Sequence, residues 1–210
     1  MDLSGWWPDF LSDQTQVRDR LISAYDDPAR GYHDLRHLFE VFSRLDELIR
    51  DDAQHGADRD ALLLAAWFHD AVHDSGTSGG DSIEERSAIM AERELATVDA
   101  PPLLVNEVAR LVRLTETHRP APEDVNGQLL CDADLAILAA DPPRYAEYVA
   151  GVRAEYADVP DEAFRAGRLA ILQDLLAKES LFHTPLARER WEATARENLG
   201  AEISALSGAS

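Results

Sequence analysis

The chain has 210 residues and a formal net charge of −20, from 20 Lys and Arg against 40 Asp and Glu. The length suffices for one domain with a real core, and a surface so acidic repels phosphate backbones, so no nucleic-acid polymer is expected as a partner. The single Cys131 excludes a disulfide framework and suits a reducing compartment.

No basic segment followed by an apolar run stands at the start, so no secretory leader is expected. No apolar run reaches membrane-spanning length, and the expected location is the cytoplasm without membrane attachment. The turn-forming stretches 26–31, 75–81, 119–127 and 141–143 are too short to be linkers, so residues 1–210 read as a single domain.

Trp6, Trp7 and Phe10 read as a lid or packing cluster. Over 9–25, Phe10, Val17, Leu21 and Ile22 recur at helical spacing, with Ser12 as the cap. Asp27-Pro28 breaks the helix and Gly31 closes the turn. In 32–50, Leu35, Leu38, Phe39, Phe42, Leu45, Leu48 and Ile49 recur at three and four, a strong helix pattern. His33 and His37 share a face if that helix starts by His33. Residues 58–70 read as a buried helix. Ala61 to Trp67 are apolar without a break, Phe68 follows, and the run ends in His69-Asp70. A buried His-Asp pair needs a partner for its charge, and a metal ion suits it.

His55 lies in a polar loop, and 75–80 (SGTSGG) reads as a flexible loop or mobile lid without the P-loop lysine pattern. Residues 81–96 form a helix capped by Asp81 or Ser82, with Glu84 and Glu85 in its first turn. Pro101-Pro102 opens another, with Thr115 and His118 at its end. After a proline-bearing loop, 119–127, the segment 128–140 is apolar apart from Asp132 and Asp134. Helices over 145–156, 161–177 and 185–206, the last preceded by His183 at its boundary, complete an all-α chain.

His37, His69, Asp70 and one of Asp132 and Asp134 are therefore the candidate ligands, from three helices. Each alone is more often a hydrogen-bonded core residue, and the set carries the argument. Mixed imidazole and carboxylate ligands suit zinc or another transition metal and leave positions for water.

The order H…HD…D resembles the HD superfamily of metal-dependent phosphohydrolases. Tyr32 to Leu38 (YHDLRHL), Trp67 to Val72 (WFHDAV), Glu84 to Ala88 (EERSA) and Ala195 to Leu199 (ARENL) are similar to a bacterial group of predicted HD phosphohydrolases, over nearly the whole chain. The resemblance implies a helical bundle with the metal between core helices. It implies hydrolysis of a phosphate ester or anhydride of a small phosphorylated substrate, with a divalent ion (Mn, Mg, Zn, Fe, Co or Ni). The superfamily's Asp follows an Ala, as Asp134 follows Ala133, which makes Asp134 the ligand and leaves Asp132 to orient a ligating His. Two positions apart on a helix, they point different ways.

Tyr32-His33-Asp34…His37 also resembles the Y-H-N-x-x-H of cyclic-nucleotide phosphodiesterases, with Asp34 in place of Asn. That implies His33 as the acid for the leaving group, against the alternative of a helix-start His bonded to backbone. Asp70 would orient the attacking water. His73 and His118 are candidate substrate contacts or ligands of a second metal. Arg86 and Arg119 are candidate phosphate holders or members of ion pairs with Glu84, Glu85 or Glu123. Two other readings stand beside hydrolysis: a two-iron HD-type oxygenase, and a nucleotide-binding sensor without activity. Substrate identity and oligomeric state are not legible in the sequence.

Overall fold

A computed structural model describes residues 2–50, 56–73 and 80–208. Among the described residues the regular secondary structure is all helix, with no strand, as expected. The helices are α1 (Thr15–Tyr25), α2 (Leu35–Ile49), α3 (Arg59–Phe68), α4 (Ile83–Thr97), α5 (Pro102–Leu114), α6 (Val125–Leu135), α7 (Pro142–Glu155), α8 (Asp161–Ala177) and α9 (Pro185–Gly208). Short 3-10 turns cover Ser4–Trp6, Asp9–Leu11 and Ala136–Ala139. No helix is long and apolar enough to cross a membrane. His55 and most of the 75–80 loop lie outside the described residues.

Side-chain caps write most of the helix starts. Asp34, Asp58, Ser82, Asp124 and Asp141 each accept a backbone N–H from the first turn of the helix that follows. Three starts differ from the periodicity. α1 begins at Thr15 without a side-chain cap, and Asp9–Leu11 is a separate turn, so Ser12 caps nothing. That turn is tied off by the Trp7 indole N–H, which donates to Leu11 O at 2.7 Å. Trp6 stacks on Phe42 and Trp7 meets Trp67 edge-on, so these two pack, while Phe10 is exposed. α2 starts after Asp34, whose carboxylate accepts from Arg36 N and His37 N. His33 therefore precedes the helix and does not share its face with His37. α6 begins at Val125 because Asp124 caps Gly127 N, which makes helical the end of a segment read as loop.

α3 is the centre. Ala61 through Phe68 are all buried, because the helix packs on α2, α4, α5 and α6. A helix surrounded in this way has no polar face to offer, which is why its residues are apolar all round. His69 is its C-cap and Asp70 follows directly.

Two devices fix the chain around this helix end. Arg30, only 8% exposed, donates from Nη1 to His33 O (2.7 Å) and Asp70 O (2.8 Å) and from Nη2 to Ala71 O (3.0 Å). It thus ties the segment before α2 to the segment after α3. Gly31 and Gly151 meet backbone to backbone: a Cβ on Gly31 would lie 2.3 Å from Gly151 O, and one on Gly151 2.5 Å from Gly31 O. This contact brings α7 against the residues leading into α2, so Gly31 is required by close approach more than by the turn.

Arg30→Met should lower stability by about 2–4 kcal/mol, because buried carbonyls lose charged donors. Urea unfolding of the two proteins measures this, and a difference below experimental error would show that Arg30 is not holding these segments.

Candidate metal centre

Four of the expected residues converge. His37, on the buried face of α2, and His69, at the end of α3, place their Nε2 atoms 3.1 Å apart. Asp70 Oδ2 lies 3.4 Å from His37 Nε2 and 3.1 Å from His69 Nε2. Asp134, on α6, brings Oδ1 to 3.3 Å from His37 Nε2 and 3.6 Å from His69 Nε2. Both imidazoles are at most 2% exposed and both carboxylates about 15%.

The spacing can be compared with that of ligands around a cation. Donor atoms held about 2.1 Å from a common ion sit roughly 3.0 Å apart at right angles and roughly 3.4 Å apart at tetrahedral angles. The separations among His37, His69 and Asp70, 3.1–3.4 Å, fall at these values, and these three form a group whose ligand atoms all lie within 4.8 Å of one another; Asp134 approaches both imidazoles at 3.3 and 3.6 Å but stands outside that group. The tautomer fits as well. His69 Nδ1 is 2.8 Å from Ala66 O, which can only accept, so Nδ1 carries the proton and Nε2 faces the cluster. His37, His69 and Asp70 thus fit a divalent ion, with the Asp134 carboxylate beside them.

The electrostatics without an ion follow from the same contacts. Burial works against a charged His37, but hydrogen bonds and charge from Asp134 and Asp70 overcome it and raise its pKa to about 10. Burial likewise opposes charge on His69, and Asp70 outweighs it, so that pKa is raised too. Burial would raise both carboxylates, yet His69, His33 and His37 hold Asp70, and His118, His37 and His69 hold Asp134, well below the usual range.

Beside this group lies a second one. Glu155, at the end of α7, has a side chain 1% exposed. Its Oε1 accepts from Tyr32 N and His33 N, and its Oε2 is 2.7 Å from His33 Nδ1 and 3.4 Å from His73 Nε2. The His33 and His73 rings are 4.7 Å apart. Burial would raise Glu155, but the two imidazoles and the backbone donors hold it well below the usual range. The sequence reading passed over Glu155. The available signal was its position, since Tyr148, Val152 and Glu155 lie four and three apart on one stripe and all three are buried.

The other candidates distribute as follows. His118, at a positive φ of 50°, sets Nε2 2.8 Å from Asp134 Oδ2 and so touches a member of the cluster. Arg119 pairs with Asp174 in an exposed ion pair, not with Glu123. Arg86 is half-buried on the first turn of α4 and is not among the described residues lining the cavity beside the cluster. Asp132 is corrected. It orients no histidine ring of the cluster; it accepts from His183 N (2.8 Å) and Thr184 N (2.7 Å), where the chain enters α9. Burial raises its pKa to about 6 against these donors.

No family model, curated protein or solved structure matches this chain.

Two expectations follow. Asp132→Ala should cost about 2–4 kcal/mol by leaving buried N–H groups unpaired, with metal stoichiometry unchanged; Asp134→Asn, which keeps hydrogen-bonding atoms against the imidazoles, should keep the fold and lower metal content. Metal content by mass spectrometry and thermal melts separate the two, and the reverse pattern would overturn the assignment. In metal-free protein, charged His37 stabilises the fold fully below its unfolded pKa of 6.5, and this contribution is lost as pH rises through about 10. Melting temperature in chelator should therefore fall across that window, and less so in Asp134→Asn. A flat wild-type profile would contradict the contacts described.

Proposed function

We propose that this chain is a metal-dependent phosphohydrolase of the HD type, cytoplasmic, acting on a small phosphorylated substrate. The observation that carries the reading is the convergence of His37, His69 and Asp70 at ligand spacing, with Asp134 of α6 approaching both imidazoles. A divalent ion bound there would supply a water of lowered pKa and a Lewis acid for a phosphoryl oxygen. The chain's own groups supply the rest. Glu155 holds His33 by Nδ1, which leaves Nε2 for the leaving-group oxygen, and His33 lines the adjoining cavity. His33 is thus assigned the proton donor of the reaction. The free lone pairs of Asp70 would orient the attacking water. His118 presses on Asp134 and so positions that carboxylate. His73 shares Glu155 with His33 and steadies the donor from the other side.

One observation favours a second reading. His33, His73 and Glu155 form a group that could itself hold an ion, which would make the centre a two-metal one and keep a two-iron oxygenase in play. Metal stoichiometry with anaerobic spectra distinguishes it: two irons per chain and no phosphatase activity would replace the hydrolase.

The direct test is a panel of phosphate esters and nucleotides with several divalent ions. Asp70→Ala should abolish turnover, and His33→Ala should lower kcat by about a hundredfold or more while metal content stays intact. Full activity in Asp70→Ala would sink the proposal.

A further inference from the structure

A cavity of about 790 Å³ opens beside the cluster, shares Asp134 with it, and is lined also by the neighbouring His33 and His118. That size is within the range of small-molecule sites. Its walls are mainly apolar. α7 contributes Tyr148 and Val152, α8 contributes Phe164 and Leu175, and Tyr156 and Leu138 complete them. Ile171, a lining residue of α8, is 56% exposed, a large apolar side chain left facing water.

The polar groups of the cavity are mostly engaged. Arg168 is bound to Glu202 and Tyr148, and Lys178 Nζ donates to Thr117 O and His118 O. Glu84, Glu116 and Asp174 add negative charge to the lining. A chain of several phosphates would find engaged cations and added repulsion. The Tyr32 hydroxyl differs: it belongs to a lining residue, is buried, and has no hydrogen-bond partner among the described residues. That hydroxyl is closed off from the open space of the cavity, so the choice of ligand rests on the walls.

We infer that the ligand of this site is a phosphate monoester whose alcohol carries an aromatic or comparably apolar group, with the phosphoryl group at the metal cluster and the apolar group against α7 and α8. This rests on the proposed metal-dependent reading for the phosphoryl end and on the cavity walls for the other. Stacking and edge contacts with Tyr148, Tyr156 and Phe164 favour an aromatic ring over an aliphatic one of equal area.

Binding tests it without turnover. Calorimetry on the manganese-loaded protein compares 1-naphthylmethylphosphonate with methylphosphonate, which carry the same head group and cannot be hydrolysed at phosphorus–carbon by this chemistry. The naphthyl compound should bind at least tenfold more tightly. Phe164→Ala should remove most of that preference, and so should Ile171→Asn, an exposed position where folding is not at stake; neither should change methylphosphonate binding. Equal affinities, binding of neither compound, or tighter binding of methylenebisphosphonate than of the naphthyl compound would overturn the inference. A naphthyl preference in a protein that hydrolyses no phosphate ester would leave the ligand class standing and remove the hydrolase.

Discussion

Two carboxylates, Asp70 and Asp134, stand with little exposure against two buried imidazoles at the centre of an acidic protein, and the arrangement must be neutralised in place. Charges taken out of water are tolerated only when paired and hydrogen-bonded. Here each carboxylate faces both Nε2 atoms, so neither imidazole serves one partner alone. The tolerance for displacement is small, since a shift of an ångström would leave charge buried without a partner. This explains why the donors stand on or directly beside helices, and why the helix that delivers the His-Asp pair is enclosed by four others.

A second tier of buried charge holds the backbone that holds the donors. Arg30 satisfies three carbonyls at the junction of residues 33 and 70–71. Glu155 satisfies two N–H groups at Tyr32 and His33. One cation takes the orphan acceptors and one anion the orphan donors of the same irregular stretch, where neither helix supplies partners. Glu155 reaches its place only because Gly31 and Gly151 permit backbone contact between α7 and that stretch. His33, the cluster and the cavity wall thus share one mechanical connection: α7 carries both Glu155 and the aromatic side of the cavity.

The helices were legible because their apolar residues repeat at three and four, and the gathering of His37, His69, Asp70 and Asp134 because a His-Asp pair at the end of an unbroken apolar run needs polar partners. Local side-chain chemistry hid the rest. Periodicity alone does not show that Asp34 turns its carboxylate back onto Arg36 N and His37 N, and that capping removed His33 from the face of His37. Asn126 and Gly127 look like loop until Asp124 is seen as their cap. The divergence of Asp132 and Asp134 followed from helix geometry. The destination of Asp132 did not, because its partners are the N–H groups of His183 and Thr184, some fifty positions along the chain. Arg30 and Glu155 each carry one common charge in an unremarkable context, and only tertiary contact makes them central.

On the proposed reading, the acidity of the chain and an anionic substrate would be reconciled at the cluster itself. Without an ion, the carboxylates keep His37 protonated well above its ordinary pKa. A divalent ion must displace the proton of His37 to use its Nε2 atom, while His69, protonated at Nδ1, already offers its own. Exchange of one proton for one dication raises the local charge by one unit, at the place where Asp70 and Asp134 are otherwise charged. Anion affinity at the cluster would therefore be coupled to metal loading, and by linkage the anion would tighten the metal in equal measure. The cavity walls contribute little to that field, since Arg168 and Lys178 are engaged elsewhere. On the proposed reading, charge recognition would be confined to one small centre, and the apolar walls would be left to discriminate by shape and surface.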